Sequence, residues 1–208
     1  MSAAEQKIVI VDDDEAIRDS LCVLLETRGF AVQAYASGPE FLRALDPASE
    51  GCLLIDMRMP VMDGLEVQKE LAARGSKLAV IMMTAHGDVT LAVRAMKAGA
   101  VDFLEKPLEP ELLLKAVRAA LHHGPRPQRS AAGEDMAHAE TCFAQLTARE
   151  REVLQRLVAG RSNKAIAYEL DISPRTVEMH RAHVMQKMKA ESLSQLVRMA
   201  LALGIEPA

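Results

Sequence analysis

The chain has 208 residues, half of them hydrophobic, with no tryptophan, 3% aromatics and a net charge of −4, which allows one or two domains whose cores are built from aliphatic side chains. No run approaches the ~18 apolar residues of a membrane span, and Met1–Gln6 is too short and polar for a signal peptide, so no membrane association is expected and the location reads as cytoplasmic. The three cysteines, Cys22, Cys52 and Cys142, make no CxxC pair, and an odd number argues against a disulfide framework and for buried small hydrophobes.

Lys7-Ile8-Val9-Ile10-Val11 is the short continuous apolar run that a buried parallel strand makes, and it ends in Asp12-Asp13-Asp14. Ile17, Leu21, Leu24 and Leu25 follow at helical spacing until Gly29 stops the helix, and Phe30-Ala31-Val32 resumes as a strand. Ser37 can cap the next helix, which turns Phe41, Leu42 and Leu45 inward. Leu53-Leu54-Ile55 ends in Asp56, and Pro60 stops the run four residues later. Helix and strand keep alternating through residues 64–73, 78–83, 88–98, 101–104 and 110–121. Five strands and five helices in this order predict a doubly wound, five-stranded parallel sheet of the flavodoxin-like class over residues 1–122.

In such a sheet ligands collect where strands end. Asp12, Asp13, Asp56, Thr84 and Lys106 all fall at carboxyl ends, so one parallel sheet brings them to one rim. Three clustered carboxylates repel one another unless a cation sits among them, and a hard divalent ion with oxygen ligands, Mg²⁺ above all, suits that site. Mg²⁺ and Lys106 together balance the charge of Asp12, Asp13 and Asp56, leaving Asp56 to attack a phosphoryl group and form an acyl phosphate.

These residues, at this spacing and ending in Lys106-Pro107, resemble the receiver domain of two-component response regulators over about the first 120 positions. The resemblance implies that Asp56 is the phosphoacceptor. It implies that Asp13, Asp56 and the backbone carbonyl of Arg58 hold Mg²⁺, with Asp12 helping through water, and that Thr84 and Lys106 bind the phosphoryl oxygens. Arg58 and His86 would flank the path of a hydrolytic water and tune how long the phosphoryl group lasts. Phe103 reads as core, and by resemblance also as a ring that swings inward when Thr84 moves. The resemblance implies a cis Lys106-Pro107 bond, whereas an X-Pro bond by itself favours trans.

Periodicity then breaks. Residues 123–142, with Pro125, Pro127 and Gly133, read as an interdomain linker in which 136–144 can carry a helical turn or two. His122, His123 and His138 lie in or beside it and read as solvated rather than metal-binding. Charge also changes: residues 1–121 carry 19 acidic and 13 basic side chains, and the remainder 10 and 12.

Residues 143–208 read as four helices. Thr147 and Glu150 make a capping box ahead of Val153, Leu154, Leu157 and Val158; Ser162 caps a short helix; Ser173-Pro174 opens a third; Ser192 and Gln195 open a fourth that ends at Gly204. Two helices joined at Asp171-Ile172 describe a helix-turn-helix. The third helix turns Val177, His180, Val184 and Met188 inward and leaves a polar face outside.

Leu146-Thr-x-Arg-Glu-x-Glu-Val-Leu, Asn163-Lys-x-Ile-Ala and Ser173-Pro-Arg-Thr-Val-Glu-Met-His-Arg resemble the LuxR-type DNA-binding domain. The pairing with a receiver, with Thr84-Ala-His-Gly-Asp and the run from Met96 to Pro107, most resembles the FixJ/StyR branch of response regulators. By the docking geometry of such helices, Glu178, Met179 and Ala182 read base edges, while Lys164, Arg175, Thr176, Arg181 and Lys187 contact phosphates.

The resulting expectation is a transcriptional regulator, an activator acting with RNA polymerase, that a sensor histidine kinase phosphorylates on Asp56 with Mg²⁺. Phosphorylation would bias a face near Val93, Lys97, Asp102 and Arg118 toward a homodimer that binds double-stranded promoter DNA. A phosphohydrolase working through an aspartyl phosphate is the rival from another class, but Arg58 stands where an acid/base is needed and no cap domain is inserted. A phosphorylation-independent DNA-binding regulator with a relict receiver is the third reading.

Overall fold

The computed structural model describes residues 7–46, 48–84, 89–124 and 132–205. Strands β1 (Lys7–Val11), β2 (Ala31–Tyr35), β3 (Glu50–Asp56), β4 (Lys77–Thr84) and β5 (Asp102–Glu105) form one parallel sheet in the order β2-β1-β3-β4-β5. Parallel neighbours need crossovers, and α1 (Glu15–Glu26), α2 (Gly38–Ala44), α3 (Gly64–Ala73) and α4 (Val89–Lys97) supply them, with α5 (Pro110–His123) after the last strand. The remaining helices are α6 (Ala132–Ala144), α7 (Ala148–Val158), α8 (Asn163–Glu169), α9 (Pro174–Lys187) and α10 (Leu193–Ala202).

Successive strand residues point to opposite faces, so continuous apolar strands imply two covered faces. Ile8, Ile10, Cys52, Leu54, Ala79, Ile81 and Met83 pack with Leu21 and Leu25 of α1 and Leu113 and Val117 of α5. The alternate residues Val9, Val11, Leu53, Ile55, Val80 and Met82 are buried too, as are Phe41 of α2 and Leu65 and Val67 of α3. Register sets the rim: Val11 lies opposite Ile55, Asp56 opposite Met83, and Thr84 opposite Glu105. The strand order reverses between β1 and β3, which opens a crevice at their carboxyl ends.

Two compact units result. The first holds the sheet with α1–α3 and α5, the second holds α6–α10, and α4 up to Met96 groups with the second. Residues 123–142 are not a linker throughout. His123 still belongs to α5, and α6 starts at Ala132, with Ala139 buried and Cys142 in one core with Leu146, Leu154, Val184 and Leu196. An alanine- and glutamate-rich helix has too few large apolar residues to show a stripe, so packing against α10 and α7 decides it. His122 is exposed at the end of α5, while the side chains of His123 and His138 lie outside the described residues.

Candidate phosphoacceptor site and DNA interface

Asp12 follows β1 directly and is completely buried. Its Oδ1 accepts from the Asp14 amide at 3.0 Å, and its carbonyl accepts from Arg18 Nη1 at 2.8 Å. Asp14 in turn caps α1 by accepting from the Ala16 and Ile17 amides. This tight turn points Asp12 inward and leaves Asp13 exposed.

Asp56 ends β3 and is 6% exposed, with Oδ2 accepting from the Arg58 amide at 2.7 Å. The chain after it is held close. Gly64 starts α3, a Cβ there would lie 2.5 Å from the Asp56 carbonyl oxygen, and Asp63 and Glu66 form a reciprocal capping box. In the connecting loop the Met62 amide donates to the Pro60 carbonyl at 2.8 Å, which leaves Val61 at φ 72° and almost fully exposed.

Lys106 comes from the end of β5, where its amide donates to the Thr84 carbonyl at 2.7 Å and its peptide bond to Pro107 is cis. Its Nζ bridges Asp12 Oδ2 at 2.8 Å and Asp56 Oδ1 at 2.5 Å. Residues 12, 56 and 106, far apart in the chain, thus converge on one rim. Burial pushes the Asp56 carboxyl above the usual carboxylate range, and the Lys106 ammonium and Arg58 amide pull against that. Burial would lower the Lys106 ammonium, but its bonds to Asp12 and Asp56 outweigh the loss of water and hold it above its ordinary value.

Two carboxylates around one ammonium, with exposed Asp13 beside them, leave net negative charge and hard oxygen donors, which is the chemistry a small divalent cation requires. Among the described residues no three acidic, histidine or cysteine side chains converge as ligands; Lys106 supplies the positive charge between Asp12 and Asp56. Thr84 ends β4 and is buried. Phe103 lies opposite Met82 and is buried, as core. Arg58 is exposed, and His86 lies outside the described residues. Val93 is buried, Asp102 half-buried, and Lys97 and Arg118 exposed.

In the second unit, Ser162 caps α8 and Ser173 caps α9, with Pro174 in the first turn. Asp171, at φ 52°, turns the chain between them, and Arg149 of α7 donates to the Leu170 carbonyl. Val177, Val184 and Met188 are buried, and Glu178, Met179, Ala182 and Arg175 are exposed along with Lys164 of α8. The expected phosphate contacts differ in their surroundings. Arg181 donates to Asn163 Oδ1 at 2.9 Å, the Thr176 hydroxyl lies 2.8 Å from that of Ser173, and Lys187 Nζ lies 2.7 Å from Glu150 Oε2.

Two positioning residues are not evident from the sequence. Arg18 is visible there only as one more polar helix residue, although its place one turn after the Asp14 cap is the signal that it can reach back to the strand end. Glu150 is visible as a capping-box residue, but not as the partner of a lysine 37 positions away.

Residues 8–118 match the family model of the response regulator receiver domain, and residues 144–200 match that of the bacterial regulatory proteins of the luxR family. The transcriptional regulatory protein FixJ of Azorhizobium caulinodans is 52% identical, covering 96% of this chain and 93% of that protein. The response regulator protein TodT of Pseudomonas putida is 42% identical over 95% of this chain and 86% of its own length. Among solved structures, full-length FixJ from B. japonicum is 47% identical, with a TM-score of 0.55 over 97% of this chain and 98% of that one. The response regulator StyR is 41% identical, with a TM-score of 0.55 over 95% and 99%. With both domain models matched in this order and such identity along nearly the whole length, the chain belongs to the FixJ/StyR-type two-component response regulators, transcription factors that join a receiver domain to a LuxR-type DNA-binding domain.

Proposed function

We propose that Asp56 is the phosphoacceptor, that a partner sensor histidine kinase supplies the phosphoryl group, and that the product is a homodimer that binds promoter DNA and activates transcription with RNA polymerase. The observation that carries this reading is the bridge from Lys106 Nζ to Asp12 and Asp56, which sets a buried carboxylate beside a fixed cation at a strand end. An Asp56 carboxylate oxygen forms the P–O bond as the P–N bond of the phosphohistidine breaks, and the departing imidazole nitrogen takes up a proton. Asp13, Asp56 and the Arg58 carbonyl, with Asp12 behind them, are the residues that would hold Mg²⁺. When bound, the ion supplies charge compensation for the incoming phosphoryl group.

The phosphoryl oxygens compete with Asp12 for the Lys106 ammonium and offer the Thr84 hydroxyl an acceptor. Moving Lys106 and Thr84 shifts the ends of β5 and β4 together, because the Lys106 amide is tied to the Thr84 carbonyl. That movement biases the face around Lys97, Asp102 and Arg118 toward pairing with a second copy. Shifting such an equilibrium from mostly off to mostly on requires about 5.5 kcal/mol of differential stabilisation. Lifetime tuning of the phosphoryl group is assigned to exposed Arg58 and to His86.

For DNA, Glu178, Met179 and Ala182 on the exposed face of α9 are assigned to base edges. Lys164, Arg175 and Thr176 are assigned to phosphates, and Arg181 is directed there from its Asn163 anchor. Light scattering of wild type and Asp56→Asn, each with Mg²⁺ and with or without beryllofluoride, tests the switch. A monomer-to-dimer shift in the wild type alone is expected. No shift in either protein would refute phosphorylation-driven dimerisation.

A further inference from the structure

The basic side chains on and around α9 look alike in sequence, but they do not present equal charge to DNA. Lys164 and Arg175 are exposed and hold no ion pair among the described residues. Lys187, in the last turn of α9, is only a third exposed, and its Nζ lies 2.7 Å from Glu150 Oε2. Glu150 itself is 3% exposed, and its position is set by two further bonds. Oε2 also accepts from the Thr147 amide at 2.7 Å, and the Glu150 amide donates to the Thr147 hydroxyl at 3.3 Å. The other oxygen, Oε1, faces His183 Nδ1 of α9 at 3.7 Å. A carboxylate held by the first turn of α7 cannot follow a lysine that swings out toward solvent.

We propose that Glu150 withholds Lys187 from the DNA backbone, so the last turn of α9 meets DNA neutralised and phosphate contact falls on Lys164, Arg175 and Arg181 ahead of it. This inference rests on the reading of α9 as the DNA-facing helix. The physical reason is the asymmetry of a buried ion pair. Transferring the Lys187 ammonium to a phosphate would exchange one charge-assisted bond for another, while leaving a nearly buried carboxylate short of its counter-charge. A buried pair is also screened little by salt, whereas an exposed ammonium near DNA is counted in the counterion atmosphere. Lys187 thereby becomes a positioning residue that seats α9 on α7, and the sequence-level expectation of a phosphate contact at this position is revised.

Counterion release gives the test, because each phosphate contact contributes about 0.9 to the slope of log affinity against log salt. Binding of the full chain to a mixed-sequence duplex is followed by fluorescence anisotropy through a salt titration, with and without Mg²⁺ and beryllofluoride. The proteins are wild type, Lys187→Gln, Glu150→Gln and the double variant. Lys187→Gln should keep the wild-type slope, Glu150→Gln should steepen it by about 0.9, and the double variant should return it to the wild-type value. A slope that falls by that amount in Lys187→Gln overturns the proposal, and so does an unchanged slope in folded Glu150→Gln. The Lys187→Gln arm decides the matter even where Glu150→Gln fails to fold. If wild type binds the duplex in neither state, it is the assignment of α9 to DNA that fails.

Discussion

Glu150 stabilises the packing of α9 on α7 through its ion pair with Lys187. Burial by itself pushes its carboxyl up, but the bonds from Lys187 and from Thr147 prevail and pull it down to about 2 from an ordinary 4.5. At 1.36 kcal/mol per unit, that difference corresponds to about 3 kcal/mol of stability at pH 7, nearer 2 once screening of the one-third-exposed Lys187 is allowed for. The sign follows from the depressed value: the contribution is fully present above the unfolded pKa and is lost as pH falls from about 5 toward 2. Hydrogen exchange of the α7 and α9 amides, corrected for intrinsic rate, measures the local opening free energy in the full chain. Wild type should exceed Glu150→Gln by about 2–3 kcal/mol at pH 7, and the gap should fall to less than half as the pH approaches 3. A gap that stays constant across this range would show that Glu150 acts by packing, and the ion-pair account would be wrong.

Asp56→Asn should raise the melting temperature in the absence of Mg²⁺ at pH 7, since burial raises the Asp56 carboxyl; the advantage should vanish in acid, where wild-type Asp56 is also neutral. Gly64→Ala should lower stability by about 1–3 kcal/mol in urea melts and weaken beryllofluoride binding, because its Cβ meets the Asp56 carbonyl at 2.5 Å; an unchanged urea midpoint would contradict the close approach. In thiol titration of the native protein, Cys52 and Cys142 should stay silent and half-buried Cys22 react slowly, with all three reacting once unfolded.

The alternation of apolar runs with helical periodicity was sufficient to predict a parallel doubly wound sheet, because each strand must be apolar on both faces and each crossover needs a helix. The polar residues at the strand ends were equally legible, since a hydrophobic strand stopped by Asp or Thr is a local pattern. So were the caps at Ser162, Ser173 and Thr147, which depend on contacts within four residues. Helix α6 was legible only as a helical turn or two over 136–144, because an alanine-rich segment carries no stripe and the full helix owes its place to Cys142 and Ala139 being buried in the second unit. Nor was the choice of which carboxylates Lys106 holds. Spacing brings Asp12, Asp13 and Asp56 to one rim, but only the inward turn fixed by Asp14 and Arg18 buries Asp12 and leaves Asp13 outside. The same division holds in the DNA-binding unit. Sequence determines that Lys187 and Lys164 are cations, whereas the tertiary packing of α9 on α7 determines that one of them is already paired. Short-range hydrogen bonds and periodicity are written along the chain, but burial and ion pairing depend on which distant segments the fold brings within a few ångströms.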